Sequence, residues 1–252
     1  MNLDILLTSP ATTWVAGAAF VYGRYALLAG LAFWWCYRRG GRITLTKIQS
    51  APPRKARIWE ELRESAVTAL VFATFGLGLK WLTDAGHTAI YSDVFQHPWW
   101  YLICSFLLLV IIHDTYFYFL HRWFHASSWW RKIHAVHHRS HNPTPFAALA
   151  FHPLEAVLEV AIIPLVVLWL PVHPIVLLAF ASFSLFWNIY GHLGYELIPF
   201  WVFRSRIGRY LNSSTHHNLH HADGRHNFGL YFNYWDRWLG TNSESYLKKV
   251  SS

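Results

Sequence analysis

Apolar and polar residues come in blocks along this chain. A first apolar run covers 14–36, about the 20 residues a helix needs to cross a bilayer. A polar, basic stretch follows over 37–63, with Pro52-Pro53 breaking any helix there. A second apolar run covers 65–82 and a third 99–120, the latter opening on Trp99-Trp100-Tyr101 like an interfacial aromatic belt. A fourth tract, 154–190, is interrupted by Pro164, Pro171 and Pro174. Its pattern predicts a helical hairpin that dips into the membrane, turns near 170–174 and returns to the same side. The remainder, 191–252, is polar and basic. These blocks predict an all-α membrane protein of four to five membrane-embedded helices, three spans plus a re-entrant-like hairpin, under a cytosolic histidine-rich helical cap. Without an internal repeat or low-complexity linker, the 252 residues read as one integral membrane domain.

Charge fixes the orientation of those blocks. The segments 37–63, 121–153 and 191–252 hold nineteen of the twenty-one Lys and Arg, and the loop 83–98 holds none. Positively charged loops stay in the cytoplasm, so the N-terminus lies outside and the cap inside. Arg24 falls within the first run. It either snorkels to an interface or faces the interior of the bundle, and snorkelling is the simpler expectation. The N-terminus has no basic lead and no A-x-A cleavage site, so the first run is expected to remain as an anchor.

Composition agrees with a lipid environment. Hydrophobic residues make up 54% and charged residues 13%, against about 25% charged in soluble domains. The net charge of +8 is distributed between spans, which excludes a nucleic-acid-binding stripe. Cys36 and Cys104 lie in separate apolar runs and are expected to be buried as small hydrophobes.

The chemistry lies in the seventeen histidines. His121 and His125 form H-x-x-x-H, and His134, His137 and His138 form H-x-x-H-H. His217, His220 and His221 repeat the second pattern, with His216 able to replace His217 as its first member. Positions i, i+3 and i+4 share one helix face, so each group is expected to aim its imidazoles at one point. Eight imidazoles exceed what one metal takes and suggest two. His192 emerges from the returning hairpin at the same membrane face as a ninth candidate. Asp114, Glu196, Asp223 and Asp236 could each accept the free N–H of a ligating histidine. His152 either joins that supporting layer or starts a helix, and His113 is expected to hydrogen-bond within the bundle.

The ligand set bears on the metal. The usual zinc hydrolases use three protein ligands, and soluble di-iron bundles use Glu and Glu-x-x-His. Neither pattern occurs here. Neutral imidazoles leave a centre strongly cationic, which with iron suits attack on an unactivated C–H bond, and a membrane surface presents such bonds in lipid. Two other classes remain open: a zinc-dependent membrane hydrolase, and a non-catalytic metal-binding membrane protein.

At these residues the sequence resembles the fatty acid hydroxylase/sterol desaturase superfamily of membrane di-iron enzymes. His121-Arg122-Trp123-Phe124-His125, His134-Ala135-Val136-His137-His138 and His216-His217-Asn218-Leu219-His220-His221 resemble its three histidine boxes. Asn227-Phe228-Gly229 and 235–241 resemble the segment that follows. Pro143-Thr144-Pro145-Phe146-Ala147 and Phe151-His152-Pro153 are most similar to the sterol C5-desaturase branch. The resemblance implies an anchor region over 1–98, a catalytic region over 99–241 and a tail over 242–252. It implies two irons, O2 as co-substrate, and a sterol, fatty acyl or related lipid that is hydroxylated or desaturated. It also implies a separate electron donor on the cytoplasmic side, cytochrome b5-like or ferredoxin-type. Imidazole sites also take zinc during overexpression. The membrane would be a bacterial inner membrane or the endoplasmic reticulum.

Overall fold

A computed structural model describes residues 9–38 and 46–251. Residues 1–8, where the anchor's outward end was read, and Arg39 and Arg42 of the first basic block lie outside the described residues. Three long helices come first: α1 (Pro10–Phe33), α2 (Lys55–Asp84) and α3 (Trp99–Ala126). Then come α4 (Ser128–His138), α5 (Pro153–Val167) and α6 (Pro174–Gly191). The cap is built from α7 (Phe200–Arg204), α8 (Ser214–Asp223), α9 (Tyr234–Trp238) and α10 (Glu244–Ser251). Two-residue strands β1 (Thr46–Lys47) and β2 (Tyr195–Glu196) pair antiparallel and tie the segment after α1 to the cap.

The local sequence explains these boundaries. Ser9 accepts the Thr12 amide and Pro10 takes the first helical position of α1. His152 before Pro153 and His173 before Pro174 repeat the device, their Nδ1 atoms accepting the amides of Leu154 and Ile175. Ser127 ends α3 and caps α4 in one residue. The chain therefore bends sharply between the first histidine pair and the group of three that follows.

The helix α2 begins ten residues before its apolar run. Nothing after Pro53 breaks it, and Arg57 reaches Glu60 at 2.6 Å and Glu64 at 3.0 Å along its face. Buried Glu61 accepts hydrogen bonds from Ser140 and Thr144 at 2.6 and 2.5 Å, and Glu64 takes Arg139 at 2.8 Å. This basic, acidic turn thus clamps the loop that leaves α4.

Among the described residues, four helices are long and apolar enough to cross a membrane: α1 with its π-helical extension to Arg38, α2, α3 and α6. The protein is an all-α membrane protein. The α5–α6 hairpin penetrates further than a shallow dip. Its turn bonds the loop assigned to the opposite face: Ala89 N donates to Val167 O at 2.8 Å, Tyr101 Oη to Pro171 O at 3.0 Å, and His173 Nε2 lies 3.1 Å from Ser92 O. Leu109, Phe117, Val166, Phe180 and Tyr231 close the core between α3, the hairpin and the cap. On the outer face of α3, Ile103, Leu107 and Ile111 form an exposed i, i+4, i+8 stripe. Cys104 belongs to that outer face, so it is exposed rather than buried, while Cys36 is buried as expected. Arg24 does not snorkel. It points inward and donates to Ser182 of α6 at 3.3 Å.

Candidate metal centre

Four elements deliver nine histidines to one end of the bundle. The last two turns of α3 carry His121 and His125, which lie beyond the apolar run because α3 continues unbroken to Ala126. The helix α4 carries His134, His137 and His138, and α8 carries His217, His220 and His221. His192 is the residue that caps α6. Ser213 starts α8 by accepting the His216 amide at 3.1 Å, and Gly224 ends it with φ of 65°. The Gly224 backbone also passes beside His125, where a Cβ would stand 3.3 Å from the ring.

The nine imidazoles form two groups. His121, His125, His134, His138 and His220 make one; His137, His192, His217 and His221 make the other. Within each group the ligand nitrogens lie within 4.8 Å of one another. The histidine boxes therefore do not each aim at one point, as spacing alone had led us to expect. Adjacent residues on a helix point about 100° apart, so His137 and His138 diverge to different groups, as do His220 and His221.

Hydrogen bonding fixes the tautomers. The Nδ1–H groups of His121, His137, His192 and His220 donate to the carbonyls of Phe228, Ala150, Asn188 and His226, at 2.9, 3.3, 2.7 and 2.6 Å. That of His134 donates to the Glu155 carboxylate at 2.6 Å. A neutral imidazole with its proton on Nδ1 has only a lone pair on Nε2. Yet the Nε2 atoms of His121 and His134 are 3.2 Å apart, as are those of His137 and His192. These are facing lone pairs, not hydrogen bonds. His217 and His221 bring their Nε2 atoms to 3.0 and 3.1 Å from that of His192, and His138 brings its own to 3.0 Å from that of His220.

Such an array fits a cation. Metal–nitrogen bonds of about 2.0–2.1 Å place neighbouring ligand nitrogens roughly 3.0–3.4 Å apart. Burial, and then repulsion from the neighbouring imidazoles, holds His134, His138, His217 and His221 well below the usual histidine range. Burial likewise leads for His137 and His220, against the backbone carbonyls that favour their charged forms. His192 is lowered to about 4 by burial, which its bond to the Asn188 carbonyl only partly opposes. The rings are thus neutral near pH 7, the form that binds metal.

The supporting layer differs from the one expected. His216 turns away from both groups, packing on Tyr246 with Nε2 3.5 Å from Asp236, so His217 takes the place in the cluster. Asp114 accepts from the Tyr231 and Phe232 amides rather than from a clustered histidine. His152 caps α5. Glu196 binds the Thr215 amide and hydroxyl and the Tyr190 hydroxyl. Asp223 and Asp236 act one step further out. Asp223 holds His226, whose carbonyl meets His220. Asp236 holds the Phe228 and Gly229 amides at 2.9 and 2.8 Å, fixing the carbonyl that meets His121. At Gly229 a Cβ would stand 2.2 Å from the Phe232 carbonyl, so the turn excludes larger residues.

Sequence reading passed over Glu155. Its signal was position: three residues after His152, in the first turn of a helix that starts beside α4. Backbone acceptors at 150, 188, 226 and 228 leave no trace in residue type. His113 sits deeper, with Nδ1 3.1 Å from the Tyr231 hydroxyl.

A cavity of about 270 Å³ lies within the bundle, separated from these histidines by the rings of Phe117 and Phe151. Phe117 and Phe151 form its wall on that side, packing at 5.0 Å from the rings of His121 and His137 respectively. The described lining is otherwise mostly aliphatic and aromatic, interrupted by Arg24, His113, Glu159, Ser184 and Asn188.

Residues 106–241, more than half the chain, match the family described as fatty acid hydroxylase. The chain belongs to the fatty acid hydroxylase family. Curated relatives of this family member include proteins named for sterols. It is 26% identical over 242 residues to Delta(7)-sterol 5(6)-desaturase ERG3B of Gibberella zeae, covering 95% of this chain and 70% of that protein. It is 33% identical over 178 residues to lathosterol oxidase of Rattus norvegicus and 28% identical over 177 residues to that of Homo sapiens. Those matches cover 66% and 69% of this chain, but only 58% and 56% of the relatives. The hydroxylase-family chain thus spans little more than half the length of the lathosterol oxidases. No solved structure gives a significant match.

Proposed function

We propose that this protein is an iron- and O2-dependent membrane oxidoreductase that desaturates or hydroxylates a sterol-type lipid. The observation that carries this reading is the inward array of Nε2 lone pairs, in two groups, at the end of an apolar cavity within a membrane bundle. His121, His125, His134, His138 and His220 would hold one iron, and His137, His192, His217 and His221 the other. Together the irons would supply O2 activation and the oxidising power that an unactivated C–H bond demands. Desaturation of a sterol is favoured because the relatives carry that activity in their names.

The chain's own residues do the rest. Glu155 and four backbone carbonyls keep each donated proton on Nδ1, leaving Nε2 free toward the metal. Phe117 and Phe151 exclude water between cavity and histidines, and the cavity walls hold a lipid with one carbon turned toward them. The histidine cap lies on the Lys- and Arg-rich side, which we assign to the cytoplasm. An acidic electron-donor protein would approach there, drawn by positive charge.

The test is anaerobic purification in mild detergent, metal analysis, and Mössbauer spectroscopy on iron-57-grown protein. About two irons per chain in a coupled pair, oxidised on admission of O2 and giving a dehydrogenated or hydroxylated sterol, is the expected result. Iron-reconstituted protein that shows no O2-dependent turnover of any lipid would overturn it.

A further inference from the structure

Besides His113, which meets the Tyr231 hydroxyl, two ionisable groups enter the cavity from helices that pack in the apolar layer, Arg24 from α1 and Glu159 from α5. Ionisable side chains at that depth are costly and point to a bound partner. They do not neutralise each other, since no ion pair joins them. Arg24 is engaged by Ser182 and rests over the Phe20 ring at 5.4 Å. Glu159 has no hydrogen-bond partner among the described residues, and its carboxylate faces the cavity.

Position makes Glu159 informative. It follows Glu155 by four residues, so the two share a face of α5 about 6 Å apart along the axis. Glu155 bonds His134, so Glu159 lies one turn from the histidines, at their end of the cavity. Asn188, whose carbonyl meets His192, lines the same end. A ligand group held by Glu159 would therefore sit close to the carbon being oxidised.

The charge pattern selects the group. An unpartnered carboxyl group in an apolar cavity calls for a partner that can hydrogen-bond to it. A cationic lipid head would be repelled by Arg24 in the same cavity, and the largely apolar lining favours a neutral group over an anionic one. A neutral donor on an apolar skeleton remains, which is an alcohol.

We propose that Glu159 accepts the hydroxyl of a lipid alcohol and so fixes which carbon faces the histidines. This rests on the sterol-type substrate of the preceding section and adds the residue that reads its one polar group. The oxidised carbon then lies within about a ring's width of the hydroxyl-bearing carbon, and the apolar remainder extends along Phe72, Leu79 and Ile163.

The test measures binding to the full chain as purified, in nanodiscs, under argon and without reductant, so that turnover does not intervene. The probes are a Δ7-sterol with a free 3-hydroxyl and its 3-O-methyl ether, which cannot donate. Wild type is expected to bind the alcohol about tenfold more tightly than the ether, because a site built for a hydroxyl leaves its acceptor unpaired otherwise. Glu159→Leu should bind both alike, with ether affinity unchanged, which also reports an intact cavity. Glu159→Gln, keeping a neutral acceptor, should retain a reduced preference. A preference that survives in Glu159→Leu would overturn the role of Glu159 while leaving the sterol reading intact. Equal binding of alcohol and ether by wild type would do the same. Failure of wild type to bind either probe would overturn both.

Discussion

The residue that most rewards study is Glu155. It is fully buried and gives His134 Nδ1 a carboxylate acceptor, where four other clustered histidines have only carbonyls. A side-chain acceptor in this position fixes the ring orientation and raises the basicity of the ligand nitrogen. Glu155→Ala is expected to weaken metal binding about 10- to 100-fold. Competition against a graded series of chelators would show this, and unchanged affinity would refute the role. At this scale the sequence was partly legible. Histidine spacing marked eight of the nine clustered residues, because helical periodicity brings i, i+3 and i+4 together, and His192 was marked by its place at the end of the returning hairpin. It could not mark the acceptors, since four are backbone carbonyls and a carbonyl belongs to every residue type.

At the scale of elements, the segment 227–233 is held as tightly as a helix without being one. Asn227 adopts a left-handed φ of 62° while its side-chain carbonyl accepts the Ser243 amide and its amide group donates to His216 O. Buried Asp236 takes two amides of this segment together with the Thr241 hydroxyl. Asp236→Ala would strand these donors, and is expected to cost about 2–4 kcal/mol and to loosen His121. Thermal unfolding in detergent would register the first effect as a lowered Tm, and reduced metal content the second. The apolar runs were legible because a bilayer-length hydrophobic block has few other uses. The early start of α2 was not, because its polar first turns are stabilised by Glu61 and Glu64 meeting residues some 75–83 positions away. The depth of the hairpin was hidden similarly: its tip is held by a loop that carries no Lys or Arg to mark it.

For the whole molecule, the distribution of Lys and Arg makes a topological claim open to direct measurement. With Cys36 and Cys104 replaced by serine, single cysteines at Gln96 and at Arg225 should react with an impermeant maleimide from opposite sides of sealed vesicles. Both positions are solvent-facing in the fold. Labelling of both from one side would invert or abolish the assigned orientation. The bundle itself follows from one requirement. An apolar cavity must meet a polar, histidine-lined end, and the two can adjoin only where α3 and α6 pass out of the apolar layer.

The divergence of neighbouring histidines on α4 and α8 has a thermodynamic corollary. On the proposed assignment, two short helices each serve both irons, so their orientation is shared between the two sites. The first ion to arrive would fix the rotation of α4 and α8 and thereby prepay the ordering cost of the second. Uptake should then be pairwise, with chains holding one ion scarce at substoichiometric iron, and empty and doubly filled chains predominating.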